Sequence, residues 1–192
     1  MRKMFAGASS FNQDISGWDV SNVKVMSRMF CGCRSFNQDL SGWDVSNVKD
    51  MSFMFCSAKN FNGDISTWDV RNVEDMQSMF ELCIKFNCNL KRWNTKNVRN
   101  MRAMFAGCKE FNQDLSRWNV SNVTNMRSMF NDCKVFSQDI SKWDVSNVTD
   151  MRYMFMGCDS LNQDLLDRIV TSKLFNNNNI WTKYIKDFLS AS

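Results

Sequence analysis

Apolar residues return along this chain with a period of 25, and each class of side chain keeps its own column. Methionine fills the column from Met1 through Met26, Met51, Met76, Met101 and Met126 to Met151, and a second column from Met4 to Met154. Phenylalanine fills the columns Phe5 to Phe155 and Phe11 to Phe136, the latter closed by Leu161, while tryptophan occupies positions 18, 43, 68, 93, 118 and 143. Such a period marks stacked units, none of which buries its apolar face alone. The pattern runs through residues 1–165 as about six and a half repeats, and residues 166–192 form a C-terminal cap region.

Within a unit the spacing changes character. Around Asp39-Leu40-Ser41-Gly42-Trp43-Asp44-Val45, Trp43 and Val45 alternate with polar residues, which predicts a short strand. Val48, Met51, Met54, Phe55 and Ala58 then follow at helical intervals, with Asp50 as N-cap and Gly32, Ser57, Gly107 or Gly157 at the helix end. The expected fold class is therefore α/β: a leucine-rich-repeat-like solenoid with one short parallel strand and one short helix per coil. A strand spacing of about 4.8 Å gives a stack roughly 30 Å long. Beyond the repeats, Ile180, Trp181, Tyr184, Ile185, Phe188 and Leu189 form an apolar stripe that predicts a C-terminal capping helix. Met1 falls within the first methionine column, which predicts an uncapped first coil covered by upstream sequence, a partner or a second copy.

Composition narrows the chemistry. Among 192 residues there is no His and no Pro, with 15 Met, 16 Phe, 7 Trp and 8 Cys. Without histidine, a Ser-His-Asp triad, a Cys-His dyad and a His-ligated zinc site are excluded. Carboxylates and cysteines recur as ladders rather than as a convergent acid, base and nucleophile, so no catalytic residues, no cofactor and no metal are assigned. Asn columns (Asn12 to Asn112; Asn22 to Asn147) and the Asp column (Asp14 to Asp164) read as ladders satisfying backbone groups at corners; a calcium ladder would need a glycine-rich nonapeptide pattern that is absent. Cys33, Cys83, Cys108, Cys133 and Cys158 share a column with Ala8 and Ala58, as small core residues would. Neighbouring coils would also bring Cys108 to Cys133, or Cys31 to Cys56, within disulfide reach in an oxidising compartment. Cys88 replaces Gln or Gly and is the candidate exposed, reactive thiol.

The repeat text, for example FNQDLSGWDVSNVKDMSFMF (36–55) and FNQDLSRWNVSNVTNMRSMF (111–130), resembles the BspA-like surface-protein repeats, also met as a 25-residue repeat in mycoplasma lipoproteins. That resemblance implies a leucine-rich-repeat relative serving as an interaction scaffold, of the kind met in bacterial surface proteins, protists and large DNA viruses. It brings no catalytic residues.

Net charge is only +4, but it is unevenly placed. Residues 36–84 carry eight acidic and three basic side chains, and residues 85–127 carry two acidic and nine basic. The period aligns Arg92, Arg117 and Lys142 on the expected strand face, in the column of Gly17, Gly42 and Thr67, and Arg102, Arg127 and Arg152 on the expected helix. Stacked like charges repel weakly, and the ladders read either as a solvated face that keeps the chain soluble or as a surface for an anionic partner, an acidic protein face or phosphates. The expected function is a non-enzymatic scaffold for protein–protein interaction through this face, with an acidic protein as partner. Nucleic acid is set aside for want of exposed stacking aromatics. The alternative is an architectural subunit of a surface layer or virus particle, self-associating through residues 1–10. No apolar run of about 18 residues and no secretory signal are seen, so no membrane span is expected. The setting favoured is intracellular or virion-associated over secreted, with the cell surface open if sequence precedes Met1.

Overall fold

The computed structural model describes residues 1–171. They wind as a stack of 25-residue coils, and the only regular element among them is α1, Gln163–Thr171. The expected strand and helix of each coil are absent, which corrects the α/β, leucine-rich-repeat-like reading. Each coil is instead a succession of tight turns touching its neighbours through isolated parallel bridges at one position per coil, Val25 to Asp50, Asp50 to Asp75, and onward to Asp150.

The segment expected to be helical shows why. Met54, Cys56 and Ala58 donate their amides to the carbonyls three residues back, at 3.1, 3.2 and 2.8 Å. The intervening amides leave the coil: Phe53 donates to Gln77, Phe55 to Met79 and Ser57 to Glu81, at 2.7, 2.9 and 2.6 Å. An α-helix would send every amide four residues back. Consecutive three-residue turns also return side chains to one face at intervals of three, so spacing alone does not separate them from a helix. The alternation requires left-handed residues. Lys3, Arg28, Phe53, Ser78, Ala103, Ser128 and Tyr153 form one column with φ between 52 and 61°. Gly7, Gly32, Ser57, Leu82, Gly107, Asp132 and Gly157 form a second, with φ between 60 and 82°. Neither column is compatible with a right-handed helix.

The remaining half-coil is turned as well. Trp43 donates its backbone amide to Leu40, and Val48 to Val45, at 3.0 and 2.9 Å, so the residues around 39–45 are not a strand. Side chains complete the corners. Asn37, Asn62, Asn87 and Asn112 each donate a backbone amide to the Asn side-chain oxygen one coil earlier, at 2.7 to 3.0 Å. Asn47, Asn72, Asn97, Asn122 and Asn147 donate their side-chain amides to carbonyls of the preceding coil, at 2.7 to 2.8 Å. The Asp column accepts the amide two residues on, as at Asp39, Asp64 and Asp114, each 2.8 Å from the following Ser. These are the corner ladders expected from sequence.

The core is the stacked columns. Phe55 lies 5.7 Å from Phe80 with nearly parallel rings, and Trp68 lies 6.3 Å from Trp93. The Trp column also supplies polar anchors: the indole N–H of Trp43, Trp68, Trp93, Trp118 and Trp143 donates to the Ile or Leu carbonyl of the preceding coil, at 2.8 to 3.1 Å. This satisfies a buried donor and ties each indole to the turn one coil earlier, as Ile15, which accepts the Trp18 backbone amide, also accepts the Trp43 indole.

Helix α1 begins at Gln163, two residues before the expected end of the repeats at Leu165. The Asn162 side-chain oxygen accepts the Leu165 amide at 2.9 Å, Asp164 lies in its first turn and Arg168 in its last. Leu165, Leu166 and Ile169 join the core. The helix expected around 180–189 lies outside the described residues.

Two stability predictions follow the backbone. Leu82 sits in a column that is otherwise glycine or small polar, at φ 60° and 45% exposed. Leu82→Gly should stabilise the protein by about 1 kcal/mol, read as a higher urea midpoint. Trp118 is 4% exposed and Trp18 is 38% exposed. Trp118→Phe, losing both volume and the bond to the Leu90 carbonyl, should cost roughly 1–3 kcal/mol, and Trp18→Phe clearly less.

Candidate functional site

Each Trp is preceded by a turn whose tip carries the variable column. Gly17, Gly42, Thr67, Arg92, Arg117 and Lys142 are all exposed there, on turns rather than on strands. Thr67 uses its hydroxyl locally, donating to the Ser41 carbonyl at 2.8 Å. Arg92 and Arg117 come together on one open groove of about 650 Å³ lined also by Ser66, Thr67, Trp68, Asn89 and Lys91. A second depression of about 370 Å³ adjoins it, sharing Lys91, Arg92 and Arg117 and adding Trp93, Asn94, Thr95 and Asn119. Lys142, Gly17 and Gly42 line neither.

Charge within the groove is partly compensated. The Lys91 ammonium lies 2.7 Å from the Asp114 carboxylate. That contact, with the Ser116 hydroxyl and amide, holds the Asp114 carboxyl well below the usual carboxylate range. Arg92 and Arg117 make no ion pair with any described residue.

Arg102, Arg127 and Arg152 line neither depression. Arg152 is bound by Asp150, its guanidinium 2.6 Å from the carboxylate, and Arg127 lies over the Tyr153 ring at 5.5 Å. The helix on which they were expected to stack is absent; they lie at one position of successive turns.

Residues 1–10 are turns tied to the second coil: the Met1 ammonium donates to the Val25 carbonyl at 3.0 Å, and the Phe5 ring stacks on Phe30 at 5.6 Å.

The five cysteines of one column are buried and hydrogen-bonded to backbone. Cys33, Cys83, Cys108, Cys133 and Cys158 each donate their thiol to the Phe carbonyl 28 residues earlier, at 2.9 to 3.0 Å. They therefore point at backbone rather than at one another, and all eight cysteines are free. Burial pushes the Cys33 thiol up to about 11 and the Cys158 thiol up to about 12. Cys88 corrects the expectation of a reactive surface thiol. It is half-buried against the core, with Sγ 3.8 Å from Asp64, and burial together with that carboxylate raises its pKa. Among the described residues no three Cys, Asp or Glu side chains gather as a metal-binding group, and no helix is long and apolar enough to cross a membrane.

Sequence reading of the basic column missed its surroundings. Asn89, Asn94 and Asn119 replace aspartates of their columns, and Lys91 and Lys96 replace serines. Thr95 replaces valine and is fully buried, its hydroxyl donating to the Asn119 carbonyl at 2.8 Å. Comparing each column across the coils was the available signal.

Fold and groove define a turn-built repeat protein with an open basic groove on its surface. The chain matches the family model described as Mycoplasma protein of unknown function, DUF285, over residues 1–93 and again over 75–187. It belongs to that mycoplasma repeat family. Comparison with curated proteins gives no match.

Acid should weaken the fold through carboxylates such as Asp114. A depressed folded pKa contributes stability present above the unfolded value near 3.8 and lost as pH falls through the folded one. The urea midpoint should drop as pH falls from about 5 to about 2, and Asp114→Asn should lessen that drop by an amount below ~1 kcal/mol, because solvent screens this surface pair.

Proposed function

We propose that the protein is a non-enzymatic scaffold that recognises an acidic protein partner through the basic turn face centred on Arg92 and Arg117, with Lys142 at its margin. The observation that carries this reading is the groove itself: two guanidiniums in no ion pair with any described residue, exposed at the tips of turns whose Leu90 and Leu115 carbonyls are held by the indoles of Trp118 and Trp143 in the next coil. Rigid presentation lowers the ordering cost of binding, and unpaired guanidiniums are suited to bidentate carboxylate contacts. The resemblance of the repeat text to BspA-like surface proteins supports the same class of role. The buried thiols of the Cys33 to Cys158 column and the missing histidine support a binding module over an enzyme.

The test is zero-length amine-to-carboxylate cross-linking of the protein in its native source, with Arg92→Glu/Arg117→Glu/Lys142→Glu as comparison. Cross-links from Lys91, Lys96 or Lys142 to acidic segments of another protein are expected in the parent. In the triple variant, those from Lys91 and Lys96 should fall by about tenfold or more, each lost charge-assisted contact being worth roughly 1.5–3 kcal/mol. A correctly folded triple variant that retains them would reject this face.

A further inference from the structure

The groove is not an average stretch of the repeat, because the coil at residues 89–96 departs from its neighbours in one direction only. Its first corner is Asn89, where Asp14, Asp39, Asp64, Asp114 and Asp139 stand in other coils. Its second is Asn94, followed one coil on by Asn119, where Asp19, Asp44, Asp69 and Asp144 stand elsewhere. Lys91 replaces the Ser of positions 16, 41, 66, 116 and 141.

The fold does not demand these changes. Asn89 still accepts the amide two residues on, from Lys91 at 3.0 Å, and Asn119 likewise accepts that of Ser121 at 3.1 Å, as the aspartates do in other coils. The turn is kept and the negative charge is dropped, while Arg92 and Arg117 add to the same groove two positive charges in no ion pair with any described residue. An ordinary solvated face does not need carboxylates removed at the corners flanking its cations.

Resting on the proposed function, we infer that this groove binds a doubly charged oxyanion, the phosphoryl group of a phosphorylated serine or threonine on the protein partner. Two guanidiniums on one open groove can contact different oxygens of one tetrahedral group, and the neutral Asn89, Asn94 and Asn119 remove the repulsion that aspartates at these three corners would exert. Asp114, whose carboxylate holds Lys91, remains a local negative charge. A lipid headgroup is disfavoured because no exposed large apolar side chain, such as Tyr153 or Met156, lines the groove to enter a bilayer. Nucleic acid is disfavoured because Trp68 and Trp93 beside it are only 3% and 2% exposed and offer no stacking surface.

The test uses the whole chain and amide chemical-shift titrations at constant ionic strength. Probes are N-acetyl-phosphoserine N-methylamide, its glutamate counterpart and inorganic phosphate. The phosphoserine compound should cause saturable shifts at Asn89, Trp93 and Arg117, with affinity about tenfold above the glutamate compound. Inorganic phosphate should shift the same amides more weakly. Arg92→Gln/Arg117→Gln should abolish the shifts, Arg102→Gln/Arg127→Gln should leave them, and Asp114→Asn, which releases Lys91, should tighten binding.

Equal affinity for the glutamate compound would overturn the phosphoryl inference while leaving an acidic partner intact. The absence of saturable shifts in this groove with all three probes would overturn the inference on its own terms. Sedimentation with phosphatidylserine vesicles that depends on Arg92 and Arg117, without a response to the phosphoserine compound, would overturn it in favour of a lipid surface.

Discussion

In the turn run of each coil, every second amide has its acceptor in the next coil rather than in its own. Phe53, Phe55 and Ser57 donate to Gln77, Met79 and Glu81, and the same set repeats one period on from Ser78, Phe80 and Leu82. A single coil would leave those groups unsatisfied, at a cost of about 1–3 kcal/mol for each that is buried. Stacking is thus a condition of the local conformation and not an addition to it. The two left-handed columns, the aromatic ladders and the Asn corners all serve this exchange of hydrogen bonds between coils.

That dependence fixes where function can sit. Column positions facing inward carry Met, Phe, Trp, Val and Cys, and even the thiols are committed to carbonyls of the preceding coil. Freedom remains at the turn tips, where the residue before each Trp varies from Gly17 to Thr67 to Arg117 without changing the bond from the next coil's indole that anchors the turn. A charged surface can be written there at little structural cost. The groove at Arg92 and Arg117 is such a surface, and the neutral Asn corners around it keep the turn geometry while altering the electrostatics.

Much of this was legible in the sequence and part was not, for physical reasons. The period, the buried columns and the Asn corners follow from self-comparison, since stacking places identical side chains over one another. The conformation of the coil did not follow. Met51, Met54 and Ala58 satisfy a helix and a run of three-residue turns equally, and Phe53, Ala103 and Tyr153 occupy left-handed positions that propensity reserves for Gly or Asn. Identity of the basic column was legible, but its setting was not: the Lys91–Asp114 pair spans neighbouring coils, and the loss of charge at Asn89 appears only when columns are compared.

The most direct test of this account is measurement of through-hydrogen-bond couplings between amide nitrogen and carbonyl carbon in a labelled sample. The account predicts coupling from the Phe55 amide to the Met79 carbonyl and from Phe80 to Met104, each across coils. Coupling instead from Phe55 to Met51, four residues back in the same coil, would mean that the segment is helical and would contradict it.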